Sequence, residues 1–306
     1  MDSWQYKVCS PPTLYATVRG SDRLLPCDER ATASNRCRTS IAERAAVESE
    51  TNFLLQARPP VNDIRTERIR IPSDGAQLDA YLAYPLGDGP FPGVVVVQEI
   101  FGVNAHIRDV TERFACEGYI AIAPPIYQRQ VTDFEVGYDN ASVRLGRQYK
   151  DKTTATELLA DLRAEIAYLK QIPAYGGGIG SIGFCFGGHV VYLGATLPEV
   201  DATASFYGAG IATMTPGGGV PTIARTPEIA HPIVLFFGSE DPLIPLEQVD
   251  RIEATLQEHG IPHALYRYTG VTHGFFCDRR DSYDAPAAAD AWDKTLALFR
   301  ERLAVT

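Results

Sequence analysis

Five short, unbroken apolar runs constrain this chain more than any other feature: FPGVVVVQE (91–99), YIAIAPP (119–125), GIGSIGFC (178–185), TASFYG (203–208) and PIVLFFG (232–238). A strand with one wet face alternates apolar and polar residues, whereas a run without alternation is covered on both faces. Between and after these runs lie amphipathic stretches of helical period: HIRDVTERFACEG, TTATELLADLRAEIAYLKQ, LEQVDRIEATLQEHG and APAAADAWDKTLALFRERL. Strands and helices alternating in this way predict a mostly parallel central sheet with helices on both faces, an α/β architecture. Ahead of the first run, TERIRIP and LDAYLAYP alternate with period two around SDGAQ, which predicts an antiparallel hairpin at the sheet edge.

The bulk properties narrow the partners. The formal net charge is -10, and no run of Lys and Arg is long enough to neutralise a row of phosphates, so neither nucleic acid nor an anionic membrane is expected. No window of about 20 apolar residues offers a membrane span, and the opening MDSWQYKVCSPP lacks the apolar centre of a secretory signal. The expected location is the cytoplasm, and the expected state is a monomer or small homo-oligomer. Six cysteines, at 9, 27, 37, 116, 185 and 277, show no CxxC and no paired metal-ligand spacing. The expectation is therefore six free thiols, no metal and no cofactor. Residues 1–60 hold too little apolar sequence to offset chain entropy. They are expected to form a poorly ordered extension, with a short helix possible in 41–56, ahead of one domain over 61–306.

Gly178, Gly180 and Gly183 spell the GxGxxG dinucleotide fingerprint, but they precede and enter a strand instead of following one, so they do not point to a nucleotide. In a shifted frame, Gly183-Phe184-Cys185-Phe186-Gly187 reads GxCxG, a nucleophile elbow with sulfur in place of oxygen, and it does lie between a strand and a helix. An elbow turns so sharply that a Cβ two residues to either side would collide. In return it displays its central side chain at the carboxyl end of the sheet. The chain order in such sites is nucleophile, acid, histidine. Asp241 follows the buried strand 232–238, and His273 lies in the loop TGVTHGFF before the last helix. Asp241 would orient the imidazole, and His273 would take the proton from sulfur. Each residue also has a plain reading: Cys185 as core filling, Asp241 as a turn initiator before Pro242, His273 as a loop histidine, Glu99 as a solvated strand end. Their joint, ordered occurrence at strand ends outweighs the four separate readings.

These motifs resemble the dienelactone hydrolase family of α/β-hydrolases. The resemblance runs from about residue 66 to the end of the chain and is carried by VVVVQEIFGVNAHIRDVTERFACEGYIAIAPPIYQRQ, GFCFGGH, FFGSEDPLIP and THGFFCDRR. It implies a triad of Cys185, Asp241 and His273, with Glu99 as the carboxylate accompanying the thiol and backbone N–H groups of Ile100 and Phe186 as the oxyanion hole. The implied reaction is hydrolysis of an enol-lactone, carboxymethylenebutenolide to maleylacetate in the type member. That type member grips the substrate carboxylate with two arginines, the second lying four residues beyond the catalytic histidine, where this chain has Cys277. Arg144, Arg147 and Arg279 are the candidate replacements, with Tyr127 and Tyr207 as further substrate contacts. A broad carboxylesterase is the alternative within enzymes, and a catalytically silent hydrolase scaffold is the alternative of another class.

Overall fold

The computed structural model describes residues 5–9 and 63–305. Along the chain the strands are β1 (Gln5–Val8), β2 (Asp63–Ser73), β3 (Ala76–Pro85), β4 (Phe91–Val97), β5 (Ile120–Ala123), β6 (Tyr175–Phe184), β7 (Ala202–Phe206), β8 (Ile233–Gly238) and β9 (His263–Tyr268). They form one sheet in the order β1-β2-β3-β5-β4-β6-β7-β8-β9. β1, β2, β3 and β5 pair antiparallel, and every pairing from β5 across to β9 is parallel. The five apolar runs are β4 to β8. All residues of β5, β7 and β8 are buried, so both faces of the sheet are covered there.

The helices are α1 (Ala105–Cys116), α2 (Asn140–Lys150), α3 (Ala155–Leu169), α4 (Phe186–Gly194), α5 (Leu246–Glu258) and α6 (Ala285–Arg302). Phe114 of α1 packs on Trp292 and Phe299 of α6. α1 starts cleanly because Asn104 Oδ1 accepts from the N–H groups of His106 and Ile107, two of the four donors a helix start leaves unpaired. From β4 the chain goes to β5 on one side and then crosses to β6 on the other. In open parallel sheets such a reversal leaves a crevice at the carboxyl ends, and the β4–β6 register, Val97 beside Gly183, brings Glu99 and Cys185 to its two lips.

The period-two hairpin is β2 and β3, joined by Asp74 and Gly75, both at positive φ as a two-residue turn between twisted strands requires. It is not the edge. β1 pairs along the outer side of β2, Tyr6 beside Arg65, and Cys9 is disulfide-bonded to Cys116 at the end of α1. This corrects the expectation of six free thiols: Cys185 and Cys277 are free, Cys9 and Cys116 are not, and Cys27 and Cys37 lie outside the described residues. It also corrects the expected extension for residues 5–9, which are a tethered edge strand; the rest of 1–60, with the helix expected in 41–56, lies outside the described residues. Among the described residues, no helix is long and apolar enough to cross a membrane.

Candidate active site

β6 enters α4 through Cys185, whose backbone sits at φ 55 and ψ -116. That region is strained for any residue with a Cβ and persists only where surrounding contacts fix it. Here the Cys185 N–H donates to Phe206 O at 3.0 Å and its carbonyl accepts from His189 N at 3.2 Å, pinning the residue to the next strand and to its own helix. The elbow glycines are explained by backbone atoms. A Cβ on Gly183 would lie 2.1 Å from Gly187 O, and one on Gly187 would lie 2.4 Å from both Val97 O and Gln98 O. Since these obstacles cannot rotate away, Gly187→Ala is expected to cost about 3 kcal/mol, the upper part of the usual overpacking range. Denaturant unfolding followed by circular dichroism measures the loss.

Asp241 lies just past β8 and His273 just past β9, so both loops open onto the same edge. His273 Nδ1 donates to Asp241 Oδ2 at 2.7 Å, while Asp241 Oδ1 accepts from Leu243 N at 2.8 Å. Both side chains are buried, and the second bond fixes the carboxylate that orients the ring. His273 Nε2 has no hydrogen-bond partner. Burial pulls the imidazole pKa down, but the neighbouring Cys185 sulfur and the Asp241 carboxylate outweigh it and raise the ring above its ordinary value.

Glu99, 1 % exposed, receives Arg280 Nη1 on Oε1 at 2.9 Å, and its Oε2 is unpartnered. Burial raises its pKa, opposed by Arg280 and then by His273. The guanidinium lies 5.6 Å from the Phe101 ring centre and 5.7 Å from that of Tyr138, distances at which an aromatic face attracts a cation. Two successive turns, Cys277 N to Gly274 O and Arg280 N to Cys277 O, carry Arg280 back over the cleft. Gly274, at φ 83, makes room for it: a Cβ there would stand 2.4 Å from Nη1. Tyr127 and Tyr207 are buried, with hydroxyls that have no partner and rings within electrostatic reach of Cys185. The Tyr207 ring also packs edge-on to His273 at 5.0 Å.

Not every expected substrate contact converges. Arg144 and Arg147 are exposed on α2, and Arg279 is exposed beside Arg280. Among the described residues it is Arg280 that reaches Glu99 in the cleft, and its sequence signal is the turn-rich HGFFCDRR after His273. Phe186 opens α4, so its N–H has no acceptor within the helix, and Ile100 follows Glu99 in the turn after β4.

Residues 78–303 match the model of the dienelactone hydrolase family. A "Putative carboxymethylenebutenolidase" from Synechocystis is 52% identical over 242 residues, covering 79% of this chain and 98% of the relative. An Escherichia coli protein of the same name is 34% identical, covering 76% of this chain and 85% of its own length. Among solved structures, a "Putative Dienelactone Hydrolase" from Klebsiella pneumoniae superposes with a TM-score of 0.70 at 32% identity, covering 77% of this chain and 98% of that one.

Proposed function

Because the chain belongs to the dienelactone hydrolase family, and so is a hydrolase acting on esters or lactones, we propose that it opens a small enol-lactone of the carboxymethylenebutenolide type with Cys185 as nucleophile. One observation carries this reading. Glu99 Oε2, Tyr127 OH, Tyr207 OH and His273 Nε2 are buried polar atoms without partners, gathered around one strained thiol. Buried polar groups are nearly always paired, so a cluster of unpaired ones is prepared for a ligand.

In the proposed reaction, the Cys185 sulfur bonds to the lactone carbonyl carbon and its proton passes to Glu99 Oε2. The N–H groups of Ile100 and Phe186 receive the oxyanion, helped by the positive end of α4. Collapse breaks the ring C–O bond. The enolate leaves, takes the proton from Glu99 and settles as the ketone, while the acyl group stays on sulfur as a thioester. Water then gives a proton to His273 Nε2 as its oxygen adds to the thioester, and Asp241 stabilises the imidazolium. The second collapse frees the acid, and the thiolate recovers the proton from His273. A thiol suits an enolate, which leaves without prior protonation.

Arg280 supplies the cation for a substrate carboxylate in a chain with Cys277 at the family's usual arginine position. The incoming anion competes with Glu99 for the guanidinium and releases Glu99 toward sulfur. The protein would act on such small molecules as a monomer or small homo-oligomer, without nucleic acid, membrane or cofactor.

The test is a comparison of kcat/KM for a dienelactone and a neutral aryl acetate in the parent and in Arg280→Met. Hydrogen bonds to charged groups contribute about 1.5–3 kcal/mol, so the dienelactone-to-acetate ratio is expected to fall between roughly tenfold and a hundredfold. A parent that prefers the acetate, with a ratio indifferent to Arg280, would instead establish a broad carboxylesterase. That second reading is favoured by the exposure of Arg144, Arg147 and Arg279.

A further inference from the structure

Outside the hydrolytic centre, the buried side chain of His106 is left without a polar partner. His106, in the first turn of α1, is 1 % exposed, and neither ring nitrogen has a hydrogen-bond partner. Its ring is packed among the edges of Phe184 and Phe276, where an unsatisfied polar group costs about 1–3 kcal/mol. Two other donors converge on it from the turn beyond His273. The ligand atoms of His106, Cys277 and Asp278 all lie within 4.8 Å of one another, and Nδ1 of His106 stands 4.0 Å from Asp278 Oδ1, too far for a hydrogen bond. We propose that His106, Cys277 and Asp278 form a binding site for a thiophilic divalent cation of the Zn2+ class, beside the hydrolytic centre.

The donor set selects the ion. One imidazole, one thiolate and one carboxylate suit Zn2+ and disfavour Mg2+ and Ca2+, which take oxygen donors. Zinc bonds of about 2.0–2.3 Å place tetrahedral donors roughly 3.5 Å apart, so the three atoms must draw in by about an ångström. The moving part is available: the Asp278 side chain is 60% exposed on a turn, while His106 is held by its helix. Three protein ligands leave a fourth position for water, and the exposed carboxylate provides the way in.

A supporting shell is also present. The Cys277 thiol donates to Tyr138 OH at 3.3 Å, and that oxygen accepts from Asn104 Nδ2 at 3.1 Å. On binding, the Cys277 proton goes to solvent, the sulfur bonds to the ion, and the Tyr138 hydroxyl turns to donate to the thiolate. Asn104 also caps α1, so one residue holds both the tyrosine and the helix that carries His106. The Cys277 carbonyl accepts from Arg280 N, so an ion that draws in the turn also draws on the residue holding Glu99. The expected consequence is inhibition by micromolar Zn2+, relieved by a chelator.

Because other thiols can take up zinc, the deciding experiment reads which sulfur is bound. Metal-free full-length protein is titrated with Co2+ while the near-ultraviolet sulfur-to-cobalt charge-transfer band is recorded, in the parent, Cys277→Ser, Asp278→Asn and Cys185→Ser. The expected result is one Co2+ per chain, displaced by Zn2+, with the band present in the parent and in Cys185→Ser and absent in Cys277→Ser. Asp278→Asn, an exposed change that leaves the fold intact, should weaken binding at least tenfold. A band that persists in Cys277→Ser, a band lost in Cys185→Ser, or no stoichiometric binding in the parent overturns the proposal. None of these outcomes depends on the lactone reading, because the measurement contains no substrate.

Discussion

Cys185→Ala protein is expected to lose roughly 10⁴- to 10⁶-fold in kcat on its best lactone or ester, the range found when the nucleophile of a triad is removed. The fold should be indifferent. The side chain is nearly buried, alanine fits within its volume, and the contacts that pin the elbow are backbone bonds to Phe206 and His189. Alanine at φ 55 carries the strain that cysteine already carries, so the unfolding midpoint should move little. The comparison with serine is informative. Cys185→Ser keeps a nucleophilic atom, but a hydroxyl ionises far less readily than a thiol and gains less from a carboxylate such as Glu99. Its activity should sit between parent and alanine variant. Initial rates on matched enzyme concentrations, with near-ultraviolet circular dichroism as the folding control, check both variants. Residual turnover above about one part in a hundred in Cys185→Ala would remove the thiol from the mechanism.

The legible part of this site was written in local sequence. Gly183, Cys185 and Gly187 lie within five residues, and the collisions that demand the glycines occur between atoms of the elbow and the adjacent β4 end. Glu99, Asp241 and His273 each follow a strand closely, so finding the strands places them at the carboxyl edge. His273 was also reachable, although its own strand was not: β9, HALYRY, is half-buried at a sheet edge and shows neither an unbroken apolar run nor clean alternation. α2 is not legible because its fully buried residue is Gly146, where a Cβ would meet Ile100 O at 2.2 Å, while Val143 and Tyr149, which pack against the core, are only partly buried. What sequence hid entirely was pairing across distance. Arg280 reaches Glu99 over 181 positions, Cys9 joins Cys116 over 107, and His106 meets Cys277 only because the β4 and β9 ends share one rim. Spacing rules for metal ligands and disulfides assume neighbours in the chain, and none of these are.

Removing the Cys9–Cys116 bond is expected to lower stability substantially without touching the core. A cross-link closing a loop of 107 residues withdraws, on the chain-entropy account, about 4.7 kcal/mol from the unfolded state. The native side gives some of this back. β1 is four residues long, and Tyr6 and Val8 are 69% and 79% exposed, so it buries little and owes its place largely to the tether. Once the tether is cut, β1 can leave, recovering about 1–2 kcal/mol of backbone entropy per residue against its lost pairing with β2. The net cost should therefore fall to about 2–4 kcal/mol, or roughly 5–15 °C in Tm for a domain of this size. Calorimetry of Cys9→Ser, and of the parent with and without a thiol reductant, measures the shift, and hydrogen exchange at Gln5–Val8 reads the strand itself. Protection there should vanish while that of β4 and β6 stays, because the bond lies at the far edge of the sheet from the elbow. For the same reason kcat should be unchanged. The bond also bears on where the protein works, since disulfides persist in oxidising compartments and are reduced in most cytosols. A Cys9–Cys116 pair found alkylated as free thiols in rapidly quenched cells would place it in the cytoplasm with β1 untethered, and an oxidised pair would place it elsewhere.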